Sequence, residues 1–137
     1  MTYLSKPSLV QFSANVATAL FAIFIVVQIA AAAGVFPVSM LWSGRQTELT
    51  MTMRLMSVVA AVILGVFIYI IRYRAGLVGS MPPPTAVRVA AWVVTGYMAL
   101  NTLGNFASVS SVERFLFGPM TIVMTVACLF VAAAQTN

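Results

Sequence analysis

The sequence predicts an all-α membrane protein, with four transmembrane helices folded as two hairpins in one bundle. Three observations predict it. Hydrophobic residues make up 62% of the chain and charged residues 7%, against roughly 25% charged in soluble domains. Four apolar runs, each long enough to cross a hydrocarbon core, consume nearly all 137 residues. The few charges stand at the ends of those runs. Residues 1–137 therefore read as one transmembrane domain. Its helices are expected at about 9–36, 44–74, 86–106 and 111–134.

Helix one follows Lys6-Pro7-Ser8. Ser8 with Gln11 three residues on is a capping-box pattern. The run from Leu9 to Phe36 can span with tilt, and its small stretch Ala30 to Gly34 permits close helix contact. Ala31-Ala32-Ala33 fits the cleavage site of a signal peptide, but the apolar run is too long for one. Pro37 is expected to end or kink the helix. Trp42 in the next loop suits a water–lipid interface. Ser43 and Gln46 repeat the capping-box pattern and place the start of helix two near Gly44. Its first turns, Arg45 to Arg54, are polar and carry Glu48, and Leu55 to Ile71 is apolar. Arg72 and Arg74 then fall near a helix C-terminus, where the dipole favours cations, and Gly76 suits a C-cap.

Residues 79–84 hold three consecutive prolines and read as an extended linker. Thr85 is the expected N-cap of helix three. Helix four should begin at Ser111 after a turn near Ser108 to Ser110. Ser110 is placed as its N-cap, and Glu113 can reach back to the Ser110 amide. Pro119 lies near its beginning, and the tail Gln135-Thr136-Asn137 is too short to fold. The two halves match in outline, each with a Ser-led cap and a Glu/Arg pair between two helices. This is the pattern of a parallel repeat, although the residue match is weak.

Orientation follows from Lys and Arg. Lys6, Arg72, Arg74 and Arg88 fall on one side and Arg45, Arg54 and Arg114 on the other, with both glutamates. This bias puts both termini and the proline linker in the cytoplasm, and it is small enough to admit dual topology. The net charge of +5 reflects helix ends, not a clustered basic surface, so nucleic acid is not an expected partner.

Histidine and aspartate are absent. That removes histidine-ligated haem or zinc. Any carboxylate pair would have to be Glu48 and Glu113. Cys128 is the one cysteine. It lies in the last apolar run and reads as a small hydrophobe. No cofactor is expected.

The densest polar sequence is Leu100 to Pro119. Tyr97, Asn101, Asn105 and Ser108 recur at steps of four, four and three, one stripe on a helix. In lipid such a stripe must face protein or water. It reads either as interhelical hydrogen bonding or as a polar pocket near the outer mouth of the bundle. Glu113 with Arg114, and Glu48 with Arg45, read as surface ion pairs worth under about 1 kcal/mol or as a gate. An alternative pairing is Arg45 or Arg54 with Glu113 across the outer face, tying the hairpins together. Met51, Met53 and Met56 are a candidate for soft-metal binding, since thioethers suit Cu(I). On a helix Met53 and Met56 share a face that Met51 does not, and methionine is also ordinary apolar filler.

Three pieces of the chain carry a resemblance. They are Leu41-Trp42-Ser43-Gly44-Arg45, Arg54-Leu55-Met56-Ser57-Val58-Val59-Ala60-Ala61, and Asn105-x-x-Ser108-x-Ser110-x-x-Glu113-Arg114-x-x-x-x-Pro119. Together they resemble a group of small bacterial four-helix membrane proteins without assigned function. Such proteins carry Trp-Gly-Gly where this chain has Trp42-Ser43-Gly44. The resemblance implies a bacterial cytoplasmic membrane and no particular activity. Small multidrug transporters, similar in size, have an acid in their first helix, and this chain has none there. The polar and phenylalanine pattern of fluoride channels is likewise not found.

The expected function is therefore non-enzymatic: an accessory or assembly subunit of a membrane complex, or a self-associating bundle. Membrane lipids and a protein partner or second copy are the expected partners. The alternatives are a small oligomeric transporter or channel, and a lipid- or quinone-binding protein using Asn101 and Asn105 between helices three and four.

Overall fold

A computed structural model describes residues 7–46 and 48–134. Among these residues there are four α-helices and no strand. They are α1 (Pro7–Ala33), α2 (Met51–Arg74), α3 (Thr85–Ala107) and α4 (Gly118–Ala132). A π-helical turn, Glu113–Phe117, leads into α4. Three segments are long and apolar enough to cross a membrane: Ser8–Ala33, Met51–Arg74 and Glu113–Ala132. The α3 helix falls outside that set because it carries Arg88 and the Tyr97, Asn101, Asn105 stripe among its apolar residues. Most of each apolar surface on α1 and α2 is left exposed, with Val26, Ile29, Val59 and Val62 all more than half exposed. A water-soluble fold would bury such residues, whereas lipid is their natural surrounding. The protein is a membrane helix bundle.

In the bundle α1 packs chiefly on α2 and α3 on α4, and α1 also meets α4. The α2 and α3 helices touch least among these neighbours. Phe21, Ile71, Val94, Met98, Met124 and Val131 fill the core and are essentially inaccessible. Cys128 is buried among them, as its apolar neighbours in sequence imply.

Several expected boundaries are corrected. Helix one is already formed at Pro7, the first described residue, so Ser8 lies inside it and cannot cap it. It ends at Ala33, not Phe36. Gly34 takes φ +79°, and the Gly34 and Val35 amides return to the Ala31 and Ala30 carbonyls. A left-handed glycine of this kind closes a helix by itself, three residues before Pro37. Arg54 completes that end by donating from Nη1 to the Ala32 carbonyl at 3.2 Å, a cation at a helix C-terminus.

The larger correction concerns helix two, which begins at Met51 rather than near Gly44. Its N-cap is Thr50, whose Oγ1 accepts from the Met53 amide at 3.1 Å. Trp42, Ser43 and Gly44 all have positive φ, at 55°, 64° and 72°. No right-handed helix can start through three left-handed residues. The Ser43 carbonyl instead accepts from the Val109 amide at 3.1 Å, so a tertiary bond replaces the local cap. Gly44 has no room for a side chain, since a Cβ there would stand 2.8 Å from the Ser110 amide nitrogen.

The remaining signals are close to expectation. The α2 helix ends with Arg72 and Arg74 in its last turn. Ala75 is its C-cap, and Gly76 follows at φ +82°. Thr85 is the first residue of α3 rather than its cap, a position taken by Pro84. Lys6 and the tail from Gln135 lie outside the described residues.

Candidate functional site

The Leu100–Pro119 stretch is where the two interhelix loops of one end meet. Ser110 organises the junction. Its Oγ accepts from the Glu113 amide at 3.3 Å, as an N-cap should, and donates to the Met40 carbonyl at 2.6 Å. The reciprocal half of the expected capping box is not made. Ser108 stands between: its Oγ accepts from the Ser110 amide at 2.9 Å and donates to Glu113 Oε1 at 2.5 Å. The Glu113 carboxylate is thus fixed by a buried serine instead of reaching the Ser110 amide.

Pro119 explains the π turn. It has no amide hydrogen, and its ring crowds the carbonyl four residues back. The helix widens before it, and the Gly118 amide bonds the Glu113 carbonyl, five residues earlier. Such widened turns recur at functional sites. Here the turn starts at Glu113. Arg114 points elsewhere, with its guanidinium 5.5 Å from the Phe115 ring centroid. The expected Glu113–Arg114 pair is therefore replaced by separate partners for the two side chains. Arg54 is engaged at Ala32 and does not tie the hairpins through Glu113. Arg45 and Glu48 are both exposed in the irregular segment before α2.

A cavity of about 670 Å³ opens where α2 and α3 diverge. Its wall on α3 is formed by Tyr97, Asn101, Gly104 and Asn105, and Glu113 borders it from the π turn. Most of the predicted polar stripe therefore does face a common space. Ser108 supports that space through Glu113 without lining it, and Arg114 is not part of it. Interhelical hydrogen bonding, the other reading of the stripe, does not describe Asn105. Its Nδ2 donates to the Asn101 carbonyl of its own helix at 3.0 Å. Interhelical bonds are made elsewhere, by Thr102 with Thr125 at 3.3 Å and by Arg72 with Asn15 and Thr18 at 2.9 and 3.3 Å.

Polar groups from the other helices complete the wall: Gln28 on α1 and Thr52 and Ser57 on α2. Ser57 is 1% exposed, and its Oγ has no hydrogen-bond partner among the described residues. A buried hydroxyl in that state is costly unless something satisfies it. Helical spacing from the apolar face of α2 was the signal for Ser57, but a single serine among valines and alanines does not stand out. Gln28 was visible as the one amide in the second half of helix one.

The rest of the lining is apolar and aromatic. Phe24 and Phe117 meet edge to face at 5.0 Å, and Tyr97 meets Phe67 at 5.2 Å in the same geometry. Leu55, Val59 and Ile63 continue the surface along α2, and Leu41, Trp42 and Ser43 close the loop end. The three candidate methionines occupy different environments. Met53 is buried, Met51 is exposed at the first position of α2, and Met56 lines the cavity. No family model matches the chain, nor does any curated protein or solved structure.

Proposed function

We propose that the protein is a non-enzymatic integral membrane protein that holds an amphiphilic molecule in the cavity between α2 and α3. Four membrane-spanning helices in two hairpins, both termini cytoplasmic and a bacterial cytoplasmic membrane complete this reading. The observation that carries it is the division of one cavity into two chemistries. Gln28, Thr52, Ser57, Asn101, Asn105 and Glu113 supply polar groups, and Phe24, Phe117, Val59 and Ile63 supply an apolar surface. About 670 Å³ lies within the range of small-molecule sites. The cavity runs between α2 and α3, so Asn101 and Asn105 serve it from the α3 side rather than from an α3–α4 groove.

The test is extraction in native lipid followed by mass spectrometry of the intact assembly. One small molecule of fixed mass per chain is expected. It should be lost in Gly104→Trp, because Gly104 lines the cavity and a Cβ there meets nothing within 4 Å. Gly96→Trp is the control, since Gly96 has the same open surroundings and is not part of the cavity wall. Polypeptides recovered at fixed ratio, with the cavity empty, would overturn this reading in favour of an accessory subunit.

A further inference from the structure

We propose that the amphiphile carries a cationic ammonium head, selected by Glu113 together with the aromatic rings that line the same cavity. This deepens the amphiphile-binding reading and rests on it.

Charge is the first observation. The protein is basic overall, with seven Lys and Arg against two acids, yet Glu113 is the one charged residue among those lining the cavity. Two arginines of this end are engaged elsewhere, and Arg45 is exposed and not among the residues lining the cavity. Arg54 serves the end of α1, and Arg114 lies over Phe115. An anionic head would therefore meet a carboxylate and no cation. A cationic head would meet a carboxylate that Ser108 holds through one oxygen, Oε1, with no partner for Oε2 among the described residues.

The second observation is the aromatic lining of the cavity. Trp42, Tyr97, Phe24 and Phe117 all border the same cavity. Aromatic faces attract ammonium groups through their quadrupoles, more strongly once water is excluded. The third is the set of neutral acceptors, the amide oxygens of Gln28, Asn101 and Asn105. An ammonium that carries N–H finds acceptors in all of them, and a quaternary one relies on Glu113 and the aromatic faces alone. A carbonyl-headed or phosphate-headed molecule without a cation would instead place its oxygens against the Glu113 carboxylate. The ammonium can belong to a membrane lipid head or to a free single-chain cation, and the two have the same local chemistry.

The experiment uses the full chain in dodecyl maltoside micelles, which contain no ammonium. A Trp92→Phe background leaves Trp42 as the sole tryptophan, and its fluorescence reports occupancy. Three dodecyl probes are titrated: trimethylammonium, the net-neutral dimethylamine N-oxide, and sulfate. The trimethylammonium probe is expected to bind about tenfold more tightly than the N-oxide, with sulfate weakest. Glu113→Gln keeps an acceptor for Ser108 and should bring the first two probes to within about twofold. Asn101→Asp adds a second acid at an exposed wall position, away from the cap, and should raise the cation preference by a further several-fold. It therefore tests the proposal even if Glu113→Gln fails to fold. Equal binding of all three probes to the unmodified cavity overturns the cationic head and leaves amphiphile binding standing. No binding of any probe overturns both. Adding phosphatidylethanolamine, but not phosphatidylglycerol, shifts the probe curve if a lipid is the source. An unshifted curve assigns the cavity to a free cation.

Discussion

Ser110→Ala removes the hydroxyl that joins the two loops, and the cost can be worked from its two bonds. The first is the N-cap to the Glu113 amide, worth about 1 kcal/mol at typical caps. The second is the 2.6 Å bond to the Met40 carbonyl, worth about 1 kcal/mol net, and its loss leaves that acceptor without its partner. Ser110 is only 5% exposed, so water cannot readily replace either bond. The expected loss is about 2 kcal/mol, or roughly thirtyfold in the unfolding equilibrium constant. Reversible unfolding in mixed dodecyl maltoside and dodecyl sulfate micelles, followed by circular dichroism, measures it. Ser111→Ala, at the exposed neighbouring position, should stay within about 0.5 kcal/mol. A loss below about 0.5 kcal/mol for Ser110→Ala would refute the idea that this residue fastens the 38–44 loop. The same substitution loosens Leu41, Trp42 and Ser43 over the cavity, so amphiphile affinity should fall along with stability.

Other consequences follow from the same geometry. Ser43→Gly should stabilise the protein by about 0.5–1 kcal/mol in the same unfolding assay, because a left-handed residue with a Cβ carries a backbone cost that glycine's greater unfolded freedom only partly offsets. Gly44→Ala should cost more than about 2 kcal/mol, since φ is +72° and the new Cβ meets the Ser110 amide, a positive-φ and overpacking penalty combined. Arg54→Gln should cost about 0.5–1 kcal/mol by weakening the charged cap on α1. Its signature is faster amide exchange at Gly34 and Val35. Asn105→Ala should cost about 1 kcal/mol, the worth of its bond to the Asn101 carbonyl, and weaken the retained amphiphile in the mass-spectrometric assay.

Composition and the length of the apolar runs were sufficient to define an all-helical membrane chain, because lipid admits few other ways to satisfy a backbone. Steps of four and three placed Tyr97, Asn101 and Asn105 on one face, since helical geometry makes that face independent of tertiary context. Ser110 was legible as a cap for the same reason: a cap is a contact across three residues.

The tertiary structure decided everything that depends on contacts far apart in sequence. Ser43 had the residue pattern of a cap but gave its carbonyl to Val109, sixty-six positions away, so α2 starts seven residues later than its local signals suggest. Glu113 had the spacing of a capping-box acid, but Ser108 lies within reach of its carboxylate and the Ser110 amide does not receive it. Whether the polar stripe meets another helix or an open space depends on how far α2 stands from α3. That distance is set by packing of α1 on α2 and of α3 on α4, which no local period encodes. Local periodicity fixes which side chains share a face. Only the packed bundle fixes what that face sees.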